Sequence, residues 1–308
     1  MSVPHAKEDA VSGPVRQDDL VRWCSIPVNE LVGHPELRVP FRLCAEPVEM
    51  GRLMAEELVY AIEHSSAAGG TLRAIIPCGP SGWYAPFTKL VNRRRVSLRH
   101  VEVFHMDECL DWQGKDLPRG HPYSFRGFME RHFYAPVEPD LAVPEANRHW
   151  PDPTRLAEIT ADLLETPADL VYGGWGQDGH IAYNQARRHP FSAVSVEQLR
   201  DSTARVQENN IDTVVALAQR TLGGAYQLVP PMSVTLGLRE ILAARRIRLF
   251  SDTGAWKQTA LRVGLFSPVT AEYPLTLLQE HPDALLTATV ETATHPVSEH
   301  PEWDLGLS

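Results

Sequence analysis

The chain has 308 residues, enough for one large or two small α/β domains with a substantial buried core. Its composition is 43% hydrophobic and 22% charged, ordinary for a globular protein, while a formal net charge of −10 and only short basic runs (Arg93-Arg94-Arg95, Arg245-Arg246) argue against a nucleic-acid partner. No apolar run reaches the length of a membrane span and Met1 to Asp19 carries no apolar signal segment, so a cytoplasmic protein without a membrane partner is expected.

Four cysteines, Cys24, Cys44, Cys78 and Cys109, form no CxxC pair, and no histidine cluster has zinc spacing. A Cys24–Cys44 disulfide is compatible with the sequence, but free thiols suit a cytoplasmic chain better. No metal is expected.

Residues 1–20 read as a flexible tail. Residues 21–46 mix Pro, Trp and apolar residues and define no clear element. Pro47 to His64 predicts a helix, with proline in its first turn and a stripe of Val48, Leu53, Leu58, Val59 and Ile62. Leu72 to Ile76 reads as a strand. It runs into Cys78-Gly79-Pro80-Ser81-Gly82 and a helix from Trp83 to Val91, the order that points backbone N–H groups and a helix dipole at an anion. A plain β–α turn would look the same.

Val101 to Met106 is the next predicted strand, ending in Asp107-Glu108. Adjacent carboxylates at a strand end can supply a general base, and alternation allows only one of them to face a ligand. A solvated acidic turn is the commoner origin of such a pair. Tyr123 to Phe133 reads as a helix with core aromatics, followed by a Pro-rich connection and a helix from Arg155 to Leu164.

Asp169 to Tyr172 is a short apolar strand. It opens into Gly173-Gly174-Trp175-Gly176-Gln177-Asp178-Gly179-His180-Ile181-Ala182-Tyr183-Asn184-Gln185. Clustered glycines allow close approach of a ligand to the backbone, and an Asp two residues from a His can fix the imidazole tautomer. Asp-Gly is also a turn signal in its own right.

Beyond Gln185 the chain is polar to Glu208, with little sign of a strand. Val214 to Leu222 reads as helix, Met232 to Thr235 as strand, Leu238 to Ala244 as helix and Ile247 to Phe250 as strand. Lys257 comes next, in the first turn of a helix, an unfavourable place for a cation unless an anion binds there. Pro268 to Gln279 reads as helix, Leu285 to Thr289 as the last strand, and residues 293–308 as a terminal extension.

Strands and helices alternate through residues 21–292. The expected fold is therefore a single α/β domain, a doubly wound, Rossmann-like and mostly parallel sheet with helices on both faces. Four polar clusters each lie just past a strand: Gly79 to Ser81, Asp107-Glu108, Asp178 to His180, and Lys257. In a parallel sheet those ends share one edge, so the clusters converge on one crevice.

Phe104-His105-Met106-Asp107-Glu108, the segment from His121-Pro122 to Phe133, and Gly173 to Gln185 together resemble the glucosamine-6-phosphate deaminase/isomerase family, which shares its fold with the 6-phosphogluconolactonases. The resemblance covers roughly residues 45–292, and Ile181-Ala182-Tyr183-Asn184 is similar to the deaminase branch. It implies a cofactor-free reaction on a sugar or sugar phosphate: ring opening by His180 with Asp178 as its partner, then proton transfer from C2 to C1 by Asp107, release of ammonia and formation of a ketose. Gln185 takes the place of a family glutamate among the catalytic positions. Gly79, Ser81, Gly82, Glu108 and Lys257 fall at substrate- or phosphate-binding positions. The resemblance also brings the expectation of a homo-oligomer.

Three departures accompany it. Gln185 can hydrogen-bond but carries no negative charge. Pro80 removes one N–H from the phosphate loop. The arginine that clamps phosphate in the family has no clear match in Phe191 to Leu199, with Arg187 and Arg188 the nearest substitutes. They leave two alternatives open: a sugar-lactone hydrolase that would not need Asp107, and a sugar-binding homologue without turnover.

Overall fold

Among the described residues ten strands, β1 Phe41–Cys44, β2 Leu72–Ile76, β3 Val101–His105, β4 Asp107–Leu110, β5 Arg148–His149, β6 Leu170–Gly173, β7 Arg205–Glu208, β8 Met232–Thr235, β9 Ile247–Ser251 and β10 Ala284–Thr289, form two sheets. The computed structural model describes residues 15–187, 191 and 193–306. Seven strands, in the order β1-β10-β9-β6-β2-β3-β5, make the main sheet, and every pairing in it is parallel. β4, β8 and β7 make a small antiparallel sheet.

The main sheet is buried on both faces, which explains why its strands read as continuous apolar runs. Alternate residues feed two cores. Ile75, Phe104, Val171, Leu249 and Leu286 pack on one side with the helix Gln258–Phe266. Ala74, Ile76, Val103, Tyr172 and Phe250 pack on the other with the helices Pro47–Ala67 and Tyr84–Arg94. The doubly wound arrangement expected from the sequence is the one found. Among the described residues no helix is long and apolar enough to cross a membrane, and all four cysteines are free thiols.

Several elements differ from the sequence-based expectation. Residues 21–46, whose sequence defines no clear element, contribute β1, which adds to the edge of the main sheet beside β10. From Gln17 to Cys24, partly inside the stretch read as a tail, the chain is helical and buries Trp23 and Cys24. A short helix, Pro296–Glu299, lies within the terminal extension. The helix expected over Pro268 to Gln279 is reduced to a 3-10 segment, Pro274–Glu280. There Thr276 Oγ1 donates to Thr270 O and accepts from Thr270 N, a local side-chain pairing that competes with a regular helix. β7 lies in the polar stretch where no strand was expected. Val206 is its single apolar residue, and its pairing with β8 supplies the order that its own sequence does not.

The small sheet positions a carboxylate. The chain turns out of β3 and immediately enters β4, so Asp107 opens a strand rather than ending one. Asp107 pairs with Thr235, and Thr235 pairs on its other side with Arg205.

Candidate active site

The carboxyl ends of β2, β3, β6 and β9 surround a crevice of about 210 Å³. Gly79 and Pro80 come from the first end, Asp107 from the second, Trp175, Gly176 and His180 from the third, and Thr253, Trp256 and Lys257 from the fourth. The four clusters singled out in the sequence therefore do meet, at the edge where open α/β sheets bind ligands.

Asp107 and Glu108 leave β4 in opposite directions. Asp107 lines the crevice. Its carboxyl is pushed up to about 7, first by burial and then by the neighbouring charge of Glu108, with His180 pulling the other way. Glu108 is 4% exposed and does not line the crevice. Its carboxylate accepts from the backbone N–H groups of Cys109 (2.9 Å), Phe125 (2.8 Å) and Arg126 (2.6 Å). Burial nevertheless pushes its carboxyl up to about 7, with those three donors opposing. Glu108 thus anchors the start of the helix Phe125–Met129.

His180 sits on a tight loop. The Gly176 N–H donates to His180 O at 2.9 Å, and a Cβ on Gly176 would lie 2.2 Å from His180 Cε1. Only glycine leaves room for the imidazole at that position. Gly179 has φ +74, a left-handed conformation that glycine adopts freely. His180 Nδ1 lies 2.6 Å from Asp178 Oδ1. Asp178 is buried, which raises its carboxyl, but the charge of His180 and hydrogen bonds to it outweigh that and hold it down at about 2. The imidazole therefore stands with one nitrogen against a permanent carboxylate. Its face stacks on Tyr183, with ring centroids 5.7 Å apart.

The loop behind His180 is bolted to the small sheet. Tyr183 N donates to Thr235 Oγ1 at 3.1 Å. Asn184 Nδ2 donates to Leu236 O at 2.9 Å and Asn184 Oδ1 accepts from Arg205 Nη1 at 2.8 Å. The strand that positions Asp107 and the loop that positions His180 thus share one support.

Gln185 is buried and makes no contact with His180 among the described pairs. Its Oε1 accepts from Asn210 N (3.0 Å) and Thr213 Oγ1 (3.2 Å), and its Nε2 donates to Glu208 O (3.3 Å). It therefore fastens the start of the helix Ile211–Thr221, which forms a wall of the crevice through Thr213, Ala216, Leu217 and Arg220.

The cationic end holds Lys257, 9% exposed, with its Nζ 4.7 Å from the Trp256 ring centroid and 6.0 Å from that of Trp175. Burial, and then the charge of Arg220, lower its amine to about 7, with Asp252 opposing. Gly79 lines this crevice, whereas Ser81 and Gly82 do not. A Cβ on Gly82 would face Asp252 Oδ2 at 3.2 Å. Arg187 is exposed and does not line the crevice, and Arg188 lies outside the described residues. Among the described residues no group of three or more His, Cys, Asp or Glu side chains is placed to hold a metal ion.

Sequence reasoning missed Arg220, Trp175, Trp256 and Phe125 as crevice residues. The two tryptophans had a usable signal, since each lies close behind a glycine just past a strand end. Arg220 had none. An arginine on an amphipathic helix reads as a solvated face.

These features define the chain as an α/β enzyme whose crevice lies at the carboxyl edge of a parallel sheet. The chain belongs to the glucosamine-6-phosphate deaminase family. It is 30% identical over 220 residues to glucosamine-6-phosphate deaminase of Aedes aegypti, covering 68% of this chain and 72% of that relative. Among solved structures it is similar to a monomeric glucosamine-6-phosphate deaminase (TM-score 0.69, 19% identity, 83% of this chain and 99% of the other). It is also similar to 6-phosphogluconolactonase from Trypanosoma cruzi (TM-score 0.59, 18% identity, 86% and 99%). These two likenesses concern the fold. No protein-family profile matches the chain.

Proposed function

We propose that the chain is an aldose–ketose isomerase and deaminase acting on an amino sugar phosphate of the glucosamine 6-phosphate kind. The observation that carries this reading is the convergence of Asp107 and of His180, backed by Asp178, on one crevice that Lys257 also lines. His180 passes a proton to the ring oxygen as the pyranose opens, and Asp178 steadies the charged imidazole. Asp107, whose carboxyl is raised to about 7, takes the C2 proton and returns it to C1. The resulting C2 imine adds water and releases ammonia, leaving a ketose phosphate. Lys257 meets the phosphate. No metal or organic cofactor enters this scheme.

The test is ammonia release and ketose formation from glucosamine 6-phosphate, beside unphosphorylated glucosamine, with Asp107→Asn as control. Turnover that vanishes in the variant supports the reading. Absence of turnover of both sugars by the wild-type chain overturns it.

A lactone hydrolase uses part of the same constellation, because His180 backed by Asp178 can also activate water. The fold likeness to the trypanosomal 6-phosphogluconolactonase favours keeping this second reading. Hydrolysis of 6-phosphogluconolactone that survives Asp107→Asn would select it.

A further inference from the structure

We propose that Arg220, on the helix Ile211–Thr221, is the residue that pairs with Lys257 to recognise the phosphate of the substrate. This rests on the proposed sugar-phosphate reading and assigns an anion contact to the crevice, which neither Arg187 nor the described residues between Phe191 and Leu199 line. Arg220 Cζ lies 4.1 Å from the Trp256 ring centroid, and Lys257 Nζ lies 4.7 Å from the same centroid. Two cations therefore lie against the same tryptophan ring, and all three residues line the crevice. Among the described residues neither has an ion pair within 4.0 Å, and the opposing charge that acts on both is Asp252. Lys257 is buried and Arg220 is exposed at the mouth of the same crevice, so their like charges repel, and a dianion within reach of both offsets that repulsion.

Their chemistry is complementary. Arg220 offers a planar fork of donors for two phosphate oxygens, and Lys257 offers a point charge. The Trp256 ring fixes the guanidinium without using any of its N–H groups. Gly79 and Pro80 line the same crevice, and Pro80 has no N–H to give. A second cation offsets that loss.

Arg220 is held in place from a distance. The start of its helix is fixed by Gln185 through Asn210 N and Thr213 Oγ1, by Gln177 Nε2 donating to Asp212 O at 2.9 Å, and by Asn210 Nδ2 donating to Ala186 O at 2.6 Å. Tyr123 Oη donates to Leu217 O at 2.9 Å, one turn before Arg220. Gln177 and Gln185 flank His180 in sequence, so the loop that presents the imidazole also aims the helix that presents the guanidinium.

The experiment is calorimetric titration of the full chain at pH 6.5 and low salt with inorganic phosphate, glucosamine 6-phosphate and glucosamine. Wild type is compared with Arg220→Gln, Arg220→Lys and Lys257→Gln. Arg220→Gln is expected to weaken both phosphate-bearing ligands at least tenfold and glucosamine by less than twofold, with Arg220→Lys recovering part of the loss. A loss of less than twofold on inorganic phosphate and glucosamine 6-phosphate, with Lys257→Gln losing tenfold or more, overturns the proposal. So does an equal loss on all three ligands, which would mark Arg220 as a support of the wall, or wild type that binds no phosphate at all. Should wild type bind inorganic phosphate through Arg220 and yet turn over no amino sugar phosphate, the functional reading falls and the anion clamp stands. Turnover of glucosamine 6-phosphate with KM unmoved in Arg220→Gln gives the reverse.

Discussion

Asp107 and Glu108 are neighbours on β4 with opposite duties: one carboxyl faces the crevice and the other is capped by three backbone N–H groups of the chain beneath it. Asp107→Asn is expected to lower kcat by about 10²–10⁴-fold, the usual contribution of a positioned general base. Glu108→Gln is expected to leave the reacting groups in place but to cost about 1–3 kcal/mol, because an amide NH₂ cannot accept the N–H bonds that one carboxylate oxygen now receives. Steady-state kinetics and urea denaturation of the two variants separate these outcomes.

Under the proposed reading the pH dependence follows Asp107 and Lys257, both placed at about 7. kcat/KM for glucosamine 6-phosphate rises as Asp107 loses its proton and falls as Lys257 loses its charge, giving a narrow optimum near neutrality. Asp252 and Arg220 face Lys257 and set its position within that window. Bound phosphate favours the charged amine, so the falling limb lies at higher pH in kcat than in kcat/KM. A flat kcat/KM between pH 6 and pH 9 would contradict both assignments.

Stability should change in the same window. A carboxyl raised from 3.8 to about 7 in the folded chain costs stability as pH climbs between those values and a constant amount above them. Asp107→Asn removes that cost. The variant is expected to melt higher than wild type at pH 8, with the difference closing toward pH 4, as differential scanning calorimetry at the two pH values would show.

Gly176→Ala places a methyl where the His180 ring now sits. The imidazole must swing away from Asp178, and kcat is expected to fall at least 100-fold while the circular dichroism spectrum is unchanged. A variant with more than a tenth of wild-type activity would mean that this ring position is not the working one.

Gln185→Ala leaves Asn210 N–H and the Thr213 hydroxyl without their acceptor. The expected cost is about 1–3 kcal/mol, with KM for glucosamine 6-phosphate rising more than kcat falls. Gln185→Glu keeps both acceptor contacts but turns a carboxylate oxygen toward Glu208 O in a buried position, so it is expected to cost stability that is regained at low pH, where the group is protonated. Binding measured beside urea denaturation checks both variants.

What was legible in the sequence was whatever obeys a short-range rule. Apolar runs closed by glycine marked β2 and β6, and polar residues just past them marked the crevice at Gly79, Asp107, His180 and Lys257. Alternation on a strand correctly required Asp107 and Glu108 to part company, but not which of them would face inward. The partners of Glu108 lie 17 and 18 residues away, at the start of another helix. β7 and the contacts of Gln185 depend on long-range pairing as well. Arg220 belongs to the same class: its meaning comes from Trp256, which reaches it from another strand end.

The crevice is assembled from two parts joined at the first turn of the helix Ile211–Thr221. Asp107 and the His180 loop are fixed to the small antiparallel sheet, whereas Arg220 stands on a helix fastened mainly at its first turn. Chemistry and recognition can therefore drift at different rates. Replacements along residues 214–221 would retune which anion the enzyme accepts, and how far from C1 it must sit, while the proton-transfer machinery stays untouched. For engineering, that helix is the dial to turn first.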